Sequence, residues 1–198
     1  SDFKEIKTTT KEEAIEKGLF NVVGKEMDDL YINTLKNCVL NPEIVKEQGK
    51  FLKIVYTPLH GTGNTIAGRL LSELGFENVY VVPEQKEPDG NFPNHIPNPE
   101  NKDAMRSVCE ATVNANADLG IIFDTDVDRV GAVHKDGAEI NRNRMIALIS
   151  AVLLKERAGT IVTDSITSDG LTKFIQCLGG KHHRFRGCFA PDARCLRV

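Results

Sequence analysis

From Phe51 onward, apolar runs alternate with helical patterns, and this alternation constrains the fold more than any other feature. Phe51-Leu52-Lys53-Ile54-Val55-Tyr56 reads as a compact strand. The turn-rich loop Thr57-Pro58-Leu59-His60-Gly61-Thr62-Gly63-Asn64 follows it. Thr65 to Leu74 then places Ile66, Leu70, Leu71 and Leu74 on one helical face, with Gly75 as the stop. Val79 to Val82 reads as a second strand, Asn101 to Ala115 as a helix whose apolar set is Met105, Val108, Cys109 and Val113, and Asp118 to Phe123 as a third strand. Strand, helix, strand, helix, strand implies parallel pairing with right-handed crossovers. Val130 to His134 returns as a short further strand. The expectation is an α/β fold with a mixed, mostly parallel sheet and helices on both faces. Ligands in such sheets gather beyond the carboxyl ends of the strands. Here the loops after Tyr56 and Phe123 occupy those ends.

The flanks extend the pattern. Residues 1–50 read as a helical, polar entry segment. Thr10 and Glu13 form a capping box for a short helix that Gly18 ends, and Met27, Leu30, Tyr31, Thr34 and Leu35 recur at helical spacing. Pro83 to Pro99 is a long Pro/Asn loop of the kind that often carries function. Asp136-Gly137 makes a turn, and the boundary of the 51–136 domain is expected near Lys135 to Glu139. A second, similar α/β domain then begins in 137–198. Its apolar helix carries Met145, Ile146, Leu148, Ile149, Val152 and Leu153. A strand at Thr160 to Thr163, a polar turn and a helix from Leu171 to Leu178 follow. Thr167, Ser168 and Asp169 read as that helix's N-cap. Two strands and two helices make a thin core.

Composition narrows the partners. The 198 residues carry a formal net charge of −3, without the basic surplus that phosphate-backbone binding needs, so nucleic acid is not an expected partner. The local basic run Lys181 to Arg186 reads as a solvated tail or turn. The five cysteines, Cys38, Cys109, Cys177, Cys188 and Cys195, include no CxxC pair. They read as reduced thiols of a cytoplasmic protein. No apolar run spans a bilayer, so no membrane partner is expected. The sequence does not begin with Met, which suggests processing or a longer parent.

The chemistry concentrates in Asp124-Thr125-Asp126-Val127-Asp128-Arg129, directly after the third strand. Three carboxylates converging without a cation repel one another, and one of them must take up a proton. A hard divalent cation resolves this, and oxygen ligands favour magnesium, manganese or calcium over zinc. The competing reading is a solvated acidic turn. An EF-hand fails, because its sixth and twelfth positions would fall on Arg129 and Lys135. A haloacid-dehalogenase-type phosphatase with Asp124 as nucleophile matches only the first half of its motif, since Asp128 stands where Thr or Val belongs. A non-catalytic metal- or anion-binding module is the third reading. Arg129 is either a surface ion-pair partner or a phosphate clamp beside the metal. His60 either contacts phosphate or supports its turn. Gly61 and Gly63 are better explained by close packing than by an anion cradle. His182-His183 is a poor metal pair, since neighbours on a strand point apart.

These residues also carry a resemblance. The ordered series Tyr56-Thr57-Pro58-Leu59-His60-Gly61-Thr62-Gly63, Pro88-Asp89-Gly90-Asn91-Phe92-Pro93, Asn98-Pro99-Glu100, Ala117-Asp118-Leu119-Gly120 and Asp124 to Arg129 is similar to the second domain of the α-D-phosphohexomutase superfamily, the phosphoglucomutases and phosphomannomutases. It is strong over Phe51 to Asp136 and weaker from Asn141 to His183. The resemblance implies a four-domain enzyme in which Asp124, Asp126 and Asp128 hold Mg²⁺ and Arg129 orients phosphate. Its substrates would be a hexose phosphate and a hexose bisphosphate, interconverted through a phosphoserine. The chain lacks the family's Thr-Ala-Ser-His-Asn-Pro type of stretch and its Gly-Glu-x-Ser-Gly type of motif. It is therefore expected to be a fragment, inactive alone. Thr125 and Val127 stand where many members have Gly, and the tail Gly187 to Val198 leaves the pattern.

Overall fold

The computed structural model describes residues 5–185. Three helices come first: α1 (Lys11–Glu16), α2 (Gly24–Lys36) and α3 (Pro42–Gln48). The capping box is formed, with the Glu13 amide donating to Thr10 Oγ1 at 3.2 Å. Helix α2 covers the expected helical run from Met27 to Leu35. Its stripe of Met27, Leu30 and Tyr31 faces solvent, and Ile32 is its buried residue. The inward side is chosen by charge as well as by apolar contact: Asp29 pairs with Arg69, and Lys36 with Glu73, both on helix α4 (Gly63–Glu73).

The main sheet joins β1 (Lys53–Thr57), β2 (Asn78–Val81), β3 (Leu119–Phe123) and β4 (Val130–His134) in the order β2-β1-β3-β4. β1 is parallel to β2 and β3, and β4 runs antiparallel to β3. Helix α4 links β1 to β2, and α5 (Lys102–Asn114) carries the chain back across β1 to β3. Two right-handed crossovers in opposite directions set these helices on opposite faces.

The densest core lies under α5, where Val55, Val82, Ala104, Met105, Val108, Ile122 and Val133 meet. Val113, expected in that face, is exposed, and Thr112 takes the inward place. Its hydroxyl donates to the Val108 carbonyl at 2.7 Å, which satisfies it without water, and it fills the space over Gly120 where a side chain would collide.

Strand β4 does not end the first unit. The His134 amide donates to Ala138 O at 2.9 Å and the Ile140 amide to Ala132 O at 2.8 Å, so Asp136-Gly137 is a hairpin tip. The boundary expected at Lys135 to Glu139 thus falls inside the hairpin.

The remaining elements are α6 (Arg142–Glu156), β5 (Thr160–Asp164), α7 (Asp169–Cys177) and β6 (Lys181–Phe185). Ser168 caps α7, accepting from the Leu171 amide at 3.2 Å. The basic run expected as a solvated tail is instead strand β6 through Phe185, paired parallel to β5. Polar sequence becomes strand here because His182 is held by its neighbours. Its Nε2 lies 2.8 Å from Thr163 Oγ1 and its Nδ1 2.8 Å from Thr172 Oγ1. Leu148 and Val162 remain exposed, in keeping with a thin core. Arg186, Cys188, Cys195 and the rest of the tail lie outside the described residues.

Burial, with Arg184 and His183 nearby, holds His182 below the ordinary histidine pKa. The unfolded chain therefore takes up this proton first as pH falls. The stabilising contribution is present above the unfolded value of about 6.5 and is lost on descent through the lower, folded value. Thermal melts from pH 8 to pH 5 are expected to show a downward shift that His182→Gln removes.

Candidate metal centre

Two loops meet at the carboxyl ends of β1 and β3. The close approach is a matter of backbone. A side chain on Gly61 would stand 2.5 Å from Thr125 Cα and 2.7 Å from Thr125 O. With no side chain there, the Thr62 amide and hydroxyl both donate to Thr125 O, at 2.8 and 2.9 Å. The packing reading of Gly61 is the one the structure adopts. Thr62 and Thr125 form the joint between the loops, and their pairing, being long-range, has no signal in the sequence.

His60 sits in the first loop with a positive φ of 61°. Its Nδ1 is 2.9 Å from Glu87 O and so donates to it, and its Nε2, 3.1 Å from Asn94 Nδ2, accepts. Asn94 also donates to Glu84 O at 2.8 Å. His60 is buried with both ring nitrogens engaged by the protein. The geometry argues against the phosphate contact entertained for it, and makes it a clamp on the Pro83 to Pro99 loop.

The second loop brings Asp124, Asp126 and Asp128 together, with one oxygen of each within 4.8 Å of the others. Asp124 is fully buried, whereas Asp126 and Asp128 are exposed. Its Oδ1 accepts the Arg129 amide at 3.0 Å and its Oδ2 accepts Arg129 Nε at 2.7 Å. The same Nε lies 3.3 Å from Asp128 Oδ1. Arg129 joins the cluster while its side chain stays half-exposed.

The electrostatics follow from this crowding. Burial works to raise the Asp124 pKa, but the donors of Arg129 and the contact with Asp128 outweigh it and hold the carboxyl below its usual value. Asp128 moves the other way. Its contact with Asp124, then burial and the charges of Asp126 and Asp124, raise it. An all-oxygen set of three acids, one of them wholly desolvated, is the donor chemistry of a hard divalent cation. Both Asp124 oxygens are taken by Arg129, so an Asp124 nucleophile, like a cation at that carboxylate, requires the guanidinium to move.

Val127 adopts φ 66°, a left-handed conformation that a β-branched residue rarely enters. It packs toward Gly63, close to the buried Tyr56 hydroxyl, which has no hydrogen-bond partner among the described residues. The conformation costs about 1–2 kcal/mol. Relief by glycine exceeds glycine's own entropic penalty by a small margin. Val127→Gly is expected to stabilise the chain by up to about 1 kcal/mol in urea unfolding.

Residues 29–137, more than half of the chain, match the family described as phosphoglucomutase/phosphomannomutase, alpha/beta/alpha domain II. The chain belongs to the phosphoglucomutase/phosphomannomutase family. Among relatives, a phosphomannomutase/phosphoglucomutase of Pseudomonas putida is 34% identical over 133 residues, covering 67% of this chain and 28% of that protein. A phosphoglucomutase of Neisseria gonorrhoeae is 37% identical over 123 residues, covering 62% of this chain and 26% of its own length. The structure of a phosphoglucomutase/phosphomannomutase family protein from Burkholderia thailandensis superposes with a TM-score of 0.63 at 27% identity, over 73% of this chain and 33% of that one. The chain thus spans about a quarter to a third of the length of these phosphoglucomutase/phosphomannomutase relatives. Among the described residues no helix is long and apolar enough to cross a membrane.

Proposed function

We propose that the protein carrying this chain is an Mg²⁺-dependent phosphohexomutase. It interconverts hexose 1-phosphate and hexose 6-phosphate through a phosphoserine and a hexose bisphosphate, and this chain supplies its metal centre. The observation that carries the reading is the convergence of Asp124, Asp126 and Asp128 beyond the end of β3 in a chain of this family.

In this reading the three aspartates hold the cation, and Arg129 turns its half-exposed guanidinium to the phosphate. The cation supplies neutralisation of charge on the transferring phosphoryl group. Phosphoryl transfer depends mainly on such positioning and charge compensation. The buried Asp124 fixes the loop, and the Thr62–Thr125 joint ties it to the loop after β1. The metal-loop domain runs from residue 51 through the hairpin to Ile140, residues 1–50 lead into it, and a second α/β domain opens after it. The isolated chain does not turn over, because the serine stretch that carries the phosphoryl group is not in its sequence. A cytoplasmic location is part of the proposal, supported by the free thiols of Cys38, Cys109 and Cys177.

The test is a mutase assay on the complete natural protein with glucose and mannose 1-phosphates. Formation of the 6-phosphate is expected, lost on chelation and restored by Mg²⁺, with no turnover by the 198-residue chain. Release of inorganic phosphate in place of isomerisation would favour the phosphatase reading.

A further inference from the structure

Arg129 Nε donates to one oxygen of buried Asp124 and also lies beside one oxygen of Asp128, bridging two of the three acids that the proposed function assigns to the cation. A guanidinium and a divalent cation drawn to the same carboxylates repel one another, and most strongly where burial keeps water away, as at Asp124. Two features let the side chain leave without collapse of the loop. It is half-exposed, so an alternative position in solvent is open to it. The Arg129 backbone amide, a separate donor to Asp124 Oδ1, keeps the carboxylate oriented whatever the side chain does.

Resting on that reading, we propose that the Arg129 guanidinium and the divalent cation are alternative counterions of the Asp124–Asp128 pair, so that cation entry releases the guanidinium toward phosphate. Arg129 is then a coupling residue. It opposes the cation while it bridges the acids, and it favours the cation once a phosphate has engaged it. Reciprocity follows: phosphate and cation each raise the affinity for the other by the same factor.

The experiment titrates the full 198-residue chain with Mg²⁺ by calorimetry, while the Arg129 Nε–H signal is followed by NMR. That signal is expected to move in step with the binding curve. Arg129→Gln is expected to bind Mg²⁺ about fivefold or more tightly, the lower end of ordinary coupling. Inorganic phosphate is expected to tighten Mg²⁺ binding to the native chain and to leave Arg129→Gln unchanged. An Nε–H signal that stays in place on a chain saturated with Mg²⁺, or equal or weaker binding by Arg129→Gln, overturns the exchange while the metal centre stands. A chain that binds no Mg²⁺ by either measurement overturns the metal centre and the exchange with it. The NMR arm uses the native chain and does not depend on the variant's folding.

Discussion

Gly61→Ala is expected to destabilise the chain by about 3 kcal/mol. The added methyl would stand 2.5 Å from Thr125 Cα, 2.7 Å from Thr125 O and 2.9 Å from Pro58 O, all backbone atoms with no rotamer to yield. Overpacking of this kind costs about 1–3 kcal/mol. Parting the loops also removes both hydrogen bonds from Thr62 to Thr125 O, each worth about 1 kcal/mol. Gly68→Ala is the internal control. It lies in α4 with nothing within 4 Å of the new methyl, and should gain about 0.5–1 kcal/mol. Urea unfolding of the two variants reads opposite signs for the same chemical change. A Gly61→Ala chain as stable as the native one would show that the loops are not locked together.

Asp124→Asn is expected to weaken Mg²⁺ binding by about 100-fold or more, since loss of even a supporting contact around a metal costs 10–100-fold. The amide keeps an acceptor for the Arg129 backbone N–H but can present its NH₂ to Arg129 Nε, donor against donor, at a buried position. A stability loss of about 1–3 kcal/mol should accompany the loss of binding. Exposed Asp126, when changed to Asn, should weaken binding with little effect on stability. Calorimetric titration with parallel thermal melts separates the two. The proton acts as a competitor at the same loop. Because Asp128 is raised by its contact with Asp124, affinity should begin to fall, as the solution is acidified, at a pH above the ordinary carboxylate value of about 4.

The sheet and the acidic loop were legible because both rest on local pattern. Ile54, Val55 and Tyr56 form an apolar run before a turn, and alternating acids follow the apolar end of β3. What the sequence hid depends on distant partners. The stripe of Met27, Leu30 and Tyr31 has the right period for burial, yet Asp29 and Lys36 find Arg69 and Glu73 and turn α2 the other way. Periodicity reports that a face is apolar, not that anything covers it. Lys181-His182-His183-Arg184 has no strand signature, and Thr163 and Thr172, which hold the His182 ring, are remote in sequence. His60 shows the same limit within the candidate site: its two nitrogens meet Glu87 O and Asn94, neither foreseeable from a lone histidine in a glycine-rich turn. For Arg129 the structure shows the ion-pair arrangement that was one of its two readings, and its bridge from Asp124 to Asp128 is visible only in three dimensions.

The most direct test of the metal centre is calorimetry of the native chain against Mg²⁺ at neutral pH, with Asp126→Asn alongside. Saturable binding of one ion per chain, sharply weakened in the variant, is the predicted result. Absence of binding, or binding that the variant retains in full, would mean that the loop after Phe123 holds no cation.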